Sequence, residues 1–234
     1  MEDITTIVWD WNGTLLDDVE LCMTSINRLL QEHHLPQLDH EHYQRVFQFP
    51  IIEYYRKAGF DFEQESFESL AHRYMRYYQP RSLNCSLYAH AQDVLRSFQE
   101  KGKRQVLLSA SRLDYLHDQL SRYPIAPFFE EVLGIHDVYA RSKEAWRSVS
   151  SRTAGSIRRA SFAGDSVHDY EVASAAGCRC VLIANGMSTK TRSNAAARSW
   201  MTSARLLHCS ERFCQKARIS VSRRRLSRTQ RAWR

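Results

Sequence analysis

From residue 83 to 186, short runs rich in apolar and β-branched residues alternate with stretches of helical period, and this alternation is the strongest constraint on the fold. Strand-like runs fall at 105–108, about 131–134, 159–163 and 180–184. Between them, Leu113, Leu116 and Leu120 mark a helix that stops before Pro124, and another runs through Ala175 to Gly177. A helix is also expected near Ser142 and Lys143. Ala91, Val94, Leu95 and Phe98 give one more helix ahead of the first of these strands. With a further strand at 4–9, the pattern predicts an α/β fold, a doubly wound parallel sheet with helices on both faces.

A purely helical block, 17–82, interrupts that sheet directly after its first strand. Val19, Cys22, Ile26, Leu29 and Leu30 form one stripe, and Asp17 and Asp18 precede it where negative charge suits a helix N-terminus. A second helix is predicted over about 39–47, and a third from Pro50 to Gly59. Phe67, Leu70, Ala71, Tyr74, Tyr77 and Tyr78 form a fourth, closed by Pro80. The expected organisation is a Rossmann-like core from 1–16 and 83–186, an inserted α-helical cap at 17–82, and a basic, poorly ordered tail at 187–234. His33, His34, His40 and His42 lack ligand spacing and read as a polar helix junction in the cap.

The formal charge of +7 is unevenly shared. Residues 1–186 hold 20 Lys and Arg against 25 Asp and Glu, whereas 187–234 hold 13 against Glu211 alone. Nucleic acid is therefore not an expected partner of the body and could be reached only through the tail. The other reading of the tail is a terminus foreign to the fold. No apolar run approaches the roughly 18 residues of a membrane span. The acidic start, Met1-Glu2-Asp3, is unlike a signal peptide, and the six cysteines form no paired framework. A cytoplasmic protein with free thiols, monomeric or dimeric, is expected.

Ligands of open parallel sheets sit beyond the carboxyl ends of the strands. Asp10, Ser109 and Asp165 each fall at such an end, and Lys143 follows another strand. Two acids, a hydroxyl and an ammonium at one rim suit a phosphate beside a divalent cation. An aspartate attacking a phosphate dianion meets repulsion of about 4 kcal/mol per charge pair at about 4 Å and an effective dielectric near 20. Magnesium offsets much of this by taking carboxylate and phosphate oxygens together. Lys143 would offset more, Ser109 and nearby backbone N–H groups would hold the phosphate, and Asp10 could act as nucleophile.

Asp10-Trp11-Asn12-Gly13-Thr14, Ser109, Lys143 and Gly164-Asp165-Ser166-Val167-His168-Asp169 resemble, in order and spacing, the four motifs of the haloacid dehalogenase-like hydrolases. The helical insertion resembles the cap of the phosphoglycolate phosphatase and β-phosphoglucomutase branch. The resemblance implies a phosphatase acting on a small phosphorylated metabolite of the phosphoglycolate or sugar-phosphate type. Asp10 would be its nucleophile, with Mg2+ held by Asp10, the backbone carbonyl of Asn12 and Asp165. Asp169 would support the metal, while Ser109, Ala110 and Lys143 would contact the phosphate. The same fold also hosts phosphonate hydrolases and phosphomutases, and a catalytically weak regulatory or anion-binding protein is the alternative from another class.

One residue departs from that pattern. The family usually carries Asp at the position of Asn12, where it serves as general acid and base, and such catalysis contributes about 10²–10⁴-fold. Asn cannot carry the proton. The expectation is a slower phosphatase, best on substrates with good leaving groups, whose turnover on ordinary phosphomonoesters rises in Asn12→Asp.

Overall fold

A computed structural model of the chain describes residues 4–139, 159–183 and 200–201. Its centre is a parallel sheet made of β1 (Thr6–Trp9), β4 (Arg104–Arg112), β5 (Glu131–Ile135), β6 (Ala160–Gly164) and β7 (Arg179–Ile183), extended at one edge by the short β8 (Trp200–Met201). The order across the sheet is β5-β4-β1-β6-β7-β8, and every neighbouring pair is parallel. β1 therefore lies inside the sheet, between β4 and β6. It is buried along its whole length, as expected of a strand covered on both faces.

The alternation of side chains along β1 divides the core into two layers. Ile7 and Trp9 pack with Leu107 of β4 and with Val94, Leu95, Leu116 and Leu120. Those last four belong to α5 (Ala91–Glu100) and α6 (Leu113–Leu120). Val8 points the other way and joins Val106, Leu108, Phe162 and Ala173, the last from α7 (Val167–Ala176). The indole of Trp9 would leave a polar atom buried, but its Nε1 donates to Gln105 Oε1 at 3.0 Å. Gln105 Nε2 in turn donates to the Leu95 carbonyl at 2.9 Å.

Between β1 and α5 the chain runs through α1 (Val19–Glu32), α2 (His40–Val46), α3 (Ile51–Ala58) and α4 (Phe67–Ser82). These helices gather a cluster of their own, with Ile26, Leu29, Leu30, Tyr43, Tyr55 and Leu70 among its buried members. Asp39 and Ser66 cap α2 and α4 by accepting backbone N–H bonds. The histidine-rich junction forms as a polar contact, with His33 Nε2 2.9 Å from Glu65 and Arg73 paired with both Glu32 and Glu65.

Three local features differ from the sequence reading. Helix α4 passes through Pro80 and ends at Ser82; so near a C-terminus the proline forfeits one backbone bond, and Gln119 Nε2 anchors Ser82 Oγ at 2.8 Å. A two-stranded antiparallel ribbon, β2 (Leu16–Asp17) with β3 (Ser86–Leu87), stands where the chain passes into and out of the four helices. Two-residue strands are too short to carry a periodic signal. The tail, read from its composition as poorly ordered, contributes β8 beside β7. Among the described residues no helix is long and apolar enough to cross a membrane.

Candidate active site

Asp10 follows β1 directly, and its N–H continues the ladder by donating to the Ala163 carbonyl of β6 at 2.9 Å. The chain then turns tightly around the Trp11 carbonyl, which accepts from the N–H groups of Leu15 and Leu16, both at 2.9 Å. Gly13 makes the turn possible. Its φ is +70°, and a Cβ there would lie 2.8 Å from Asp165 Oδ2, inside any tolerable contact. Only glycine lets this backbone approach the carboxylate so closely.

Asp165 follows β6, as Asp10 follows β1. Asp169 lies in the first turn of α7, where Ser166 and Asp169 form a capping box. Gly164 admits Asp169 in the same way that Gly13 admits Asp165, since a Cβ on Gly164 would meet Asp169 Cγ at 2.4 Å. Asp169 Oδ2 accepts from Ser166 Oγ at 2.6 Å and from the N–H groups of Ser166 and Asp165 at 2.8 and 3.2 Å. Thr14 Oγ1 donates to Asp165 Oδ1 at 3.0 Å and approaches Asp10 Oδ2 at 3.4 Å.

Carboxylate oxygens of Asp10, Asp165 and Asp169 lie within 4.8 Å of one another. Burial, followed by the charges of Asp169 and Asp165, pushes the Asp10 carboxyl well above its ordinary range. Burial also raises Asp169, against the bonds from Ser166 that favour its charged form. Three oxygen donors at this spacing, each acid destabilising its neighbour's charge, suit a hard divalent cation. The residues present fit such an ion.

Asn12 turns its amide into a polar network. Its Nδ2 donates to Asp18 Oδ2 and to Tyr78 Oη, each at 2.7 Å. Its Oδ1 accepts from Ser111 Oγ at 2.8 Å and from Ser109 Oγ at 3.4 Å. Asp18 is nearly inaccessible and also accepts from the Gly13 N–H at 2.9 Å and from Tyr78 Oη at 2.5 Å. Burial nevertheless raises its carboxyl above the ordinary value. Gln119 completes the network: its Oε1 accepts from Trp11 Nε1 at 2.7 Å, and its Nε2 lies 3.3 Å from Tyr78 Oη.

Of the residues expected at the site, Asp10, Asn12, Ser109, Ala110, Asp165 and Asp169 line one cavity of about 190 Å³. Lys143, and the helix expected around it, lie outside the described residues. The sequence reading missed Asp18, Tyr78, Ser111, Gln119 and Thr14. It also missed Phe49, whose ring stacks on His168 at a centroid distance of 4.2 Å and an interplanar angle of 19°. The contact joins the loop before α3 to the first turn of α7.

The sequence pattern of the haloacid dehalogenase-like hydrolases matches residues 7–183. A phosphoglycolate phosphatase from Caulobacter vibrioides is 27% identical over 189 residues, covering 77% of this chain and 79% of that protein. Among solved structures, a haloacid dehalogenase-like hydrolase from Streptococcus pneumoniae superposes with a TM-score of 0.75 at 18% identity, covering 91% of this chain and 100% of the other. A predicted phosphoglycolate phosphatase from Haemophilus somnus gives 0.73 at 19% identity, covering 90% and 99%. The two superpositions show a shared fold.

Proposed function

We propose that this chain, which belongs to the haloacid dehalogenase-like hydrolases, is a magnesium-dependent phosphatase that cleaves small phosphomonoesters through an aspartyl-phosphate on Asp10. The observation that carries the reading is the convergence of Asp10, Asp165 and Asp169 at the carboxyl ends of β1 and β6, with their oxygens within 4.8 Å. Phosphoglycolate, the substrate in the name of the Caulobacter relative, and sugar phosphates are the metabolites to test first. The four helices between β2 and β3 would act as a cap over the site, with the β2–β3 ribbon as the boundary. A cytoplasmic setting fits such a substrate.

In this reading Asp10, Asp165 and the backbone carbonyl of Asn12 would hold magnesium, and Asp169 would support them by fixing the backbone at Asp165 and Ser166. When bound, the ion supplies positive charge against the phosphate dianion and restores Asp10 to its ionised form. Asp10 then attacks phosphorus, and water cleaves the aspartyl-phosphate. Ser109, with the N–H of Ala110, would hold the phosphate in line. Lys143 would add a positive charge. Asn12 orients but carries no proton, and this one observation favours the competing reading, a catalytically weak anion-binding protein.

Phosphate release from para-nitrophenyl phosphate separates the two. Release that requires magnesium and vanishes in Asp10→Asn supports the enzyme. Undiminished release in Asp10→Asn would refute Asp10 as the nucleophile, and no release from the wild type would favour the binding protein.

A further inference from the structure

We propose that the organic part of the substrate is an aryl group, so that the enzyme acts on aryl phosphate monoesters whose phenol-type oxygen departs without being protonated. The proposal rests on the phosphatase reading above and names its substrate class. Two independent observations point to it, one chemical and one geometric.

The chemical one is the state of Asn12. Its Nδ2 is bonded to Asp18 and Tyr78, and its Oδ1 is bonded from Ser111 and Ser109. An amide held in this way cannot hand a proton to a departing oxygen. An alkoxide, with a conjugate acid close to water in strength (pKa about 15.7), leaves slowly without one. A phenol like that of tyrosine titrates near 10 and departs as the phenolate. The step balances without a proton donor. An Asp10 carboxylate oxygen bonds to phosphorus as the P–O(aryl) bond breaks, and the bonding pair leaves on the aryl oxygen. Water then attacks phosphorus and splits the Asp10–phosphorus bond. Its proton goes to solvent, from which the phenolate is later protonated.

The geometric observation is the wall of the cavity. The cavity that contains Asp10 is lined also by Phe47, Phe49, Ile51, Tyr54, Met75 and Val172. A glycolate carboxylate or the hydroxyls of a sugar would each need a polar partner, and Phe47, Phe49, Ile51, Met75 and Val172 supply none. Arg112 also reaches the cavity; its Nε and Nη2 each donate to Asp114 at 2.6 Å and its guanidinium lies 3.8 Å over the Tyr115 ring, so a substrate carboxylate would compete with Asp114 for it. A dry apolar cavity of about 150 Å³ holds benzene, so the volume of about 190 Å³ suits a single ring with its phosphate.

The test uses the full chain with saturating magnesium. Its substrates are ring-substituted phenyl phosphates, cyclohexyl phosphate, phosphoglycolate and glucose 6-phosphate. Phenyl phosphates are expected to exceed the other three in kcat/KM by about a hundredfold or more, within the range an absent general acid imposes, and to rise as the phenol pKa falls. Benzylphosphonate, which cannot be hydrolysed, is expected to inhibit more strongly than phosphonoacetate. Phe49→Ala should weaken benzylphosphonate about tenfold, as loss of a ring contact does, while inhibition by inorganic phosphate changes far less. Preference for phosphoglycolate or glucose 6-phosphate, or cyclohexyl phosphate turning over as fast as phenyl phosphate, would overturn the proposal and leave the phosphatase reading intact. Absence of phosphate release from every ester would remove both.

Discussion

Asn12→Asp looks like a repair of the active site, and the structure predicts that on its own it will damage the protein. The amide Nδ2 lies 2.7 Å from Asp18 Oδ2, so the new carboxylate would sit against an existing one. At that distance and an effective dielectric of 20, two unit charges repel by about 6 kcal/mol. Keeping one ordinary carboxyl protonated at pH 7 costs only about 4 kcal/mol, three pH units at 1.36 kcal/mol each. The pair should therefore share a proton, and the variant should lose about 3–4 kcal/mol of stability at neutral pH. In a chain of this size that is roughly 6–16 °C of melting temperature. The sign in pH follows. The folded variant binds a proton that the unfolded chain has released, so the loss grows as pH rises above the ordinary carboxyl value and shrinks towards acid. Asn12→Asp with Asp18→Asn restores one amide facing one carboxylate. It should return within about 1 kcal/mol of wild type and gain up to about 10²–10⁴-fold on alkyl phosphates. Unfolding of the wild type, Asn12→Asp, Asp18→Asn and the double variant in urea at pH 5 and pH 7.5, with phosphate release alongside, measures all of this. A single variant as stable as wild type at pH 7.5 would show that Asp18 does not constrain position 12.

Two further outcomes follow from the geometry. Gly13→Ala forces a side chain into positive φ and against Asp165 Oδ2; it should cost about 1–2 kcal/mol from the backbone alone and weaken magnesium binding, read by calorimetry. Without metal, the raised carboxyls of Asp10 and Asp169 hold protons in the folded state that the unfolded chain releases above about 3.8. Their contribution to stability should fall as pH rises from there through the raised values. Magnesium, or Asp10→Asn, should flatten that fall in melting curves taken from pH 5 to pH 8, and an unchanged slope would refute the coupling.

The sheet was legible because its signals are local. Alternation of side chains along β1, glycines closing α3 and α7, and polar residues at strand ends are properties of short windows. Asp10, Ser109 and Asp165 could be placed at one rim because a parallel sheet aligns its carboxyl ends. Asp18 could not be placed in that way. Its position before α1 reads as a helix N-terminus, and it does occupy the N-cap, yet its side chain makes no cap bond. The carboxylate turns back across the Gly13 turn instead, to Asn12 and to a tyrosine 60 residues further along the chain. No periodicity encodes such a contact. Ser111 was hidden for a related reason. The strand expected at 105–108 continues to Arg112 with a shift of register after Leu108, and that brings the hydroxyls of Ser109 and Ser111 to the same Asn12 oxygen.

This network makes position 12 a property of the whole site. Asp18 already contributes, after burial and the two nearer acids, to raising the nucleophile's carboxyl. An acid at position 12 would bring either a second charge or a proton shared with Asp18, and Asn12 brings neither. With Asn12, the chain keeps a carboxylate at position 18 and an uncharged donor facing it, so the Asp10–Asp165–Asp169 cluster is spared a fifth acid. The amide fits a site in which ionisation of Asp10 takes precedence over protonation of the leaving group. Such a site suits a substrate whose leaving group needs no proton.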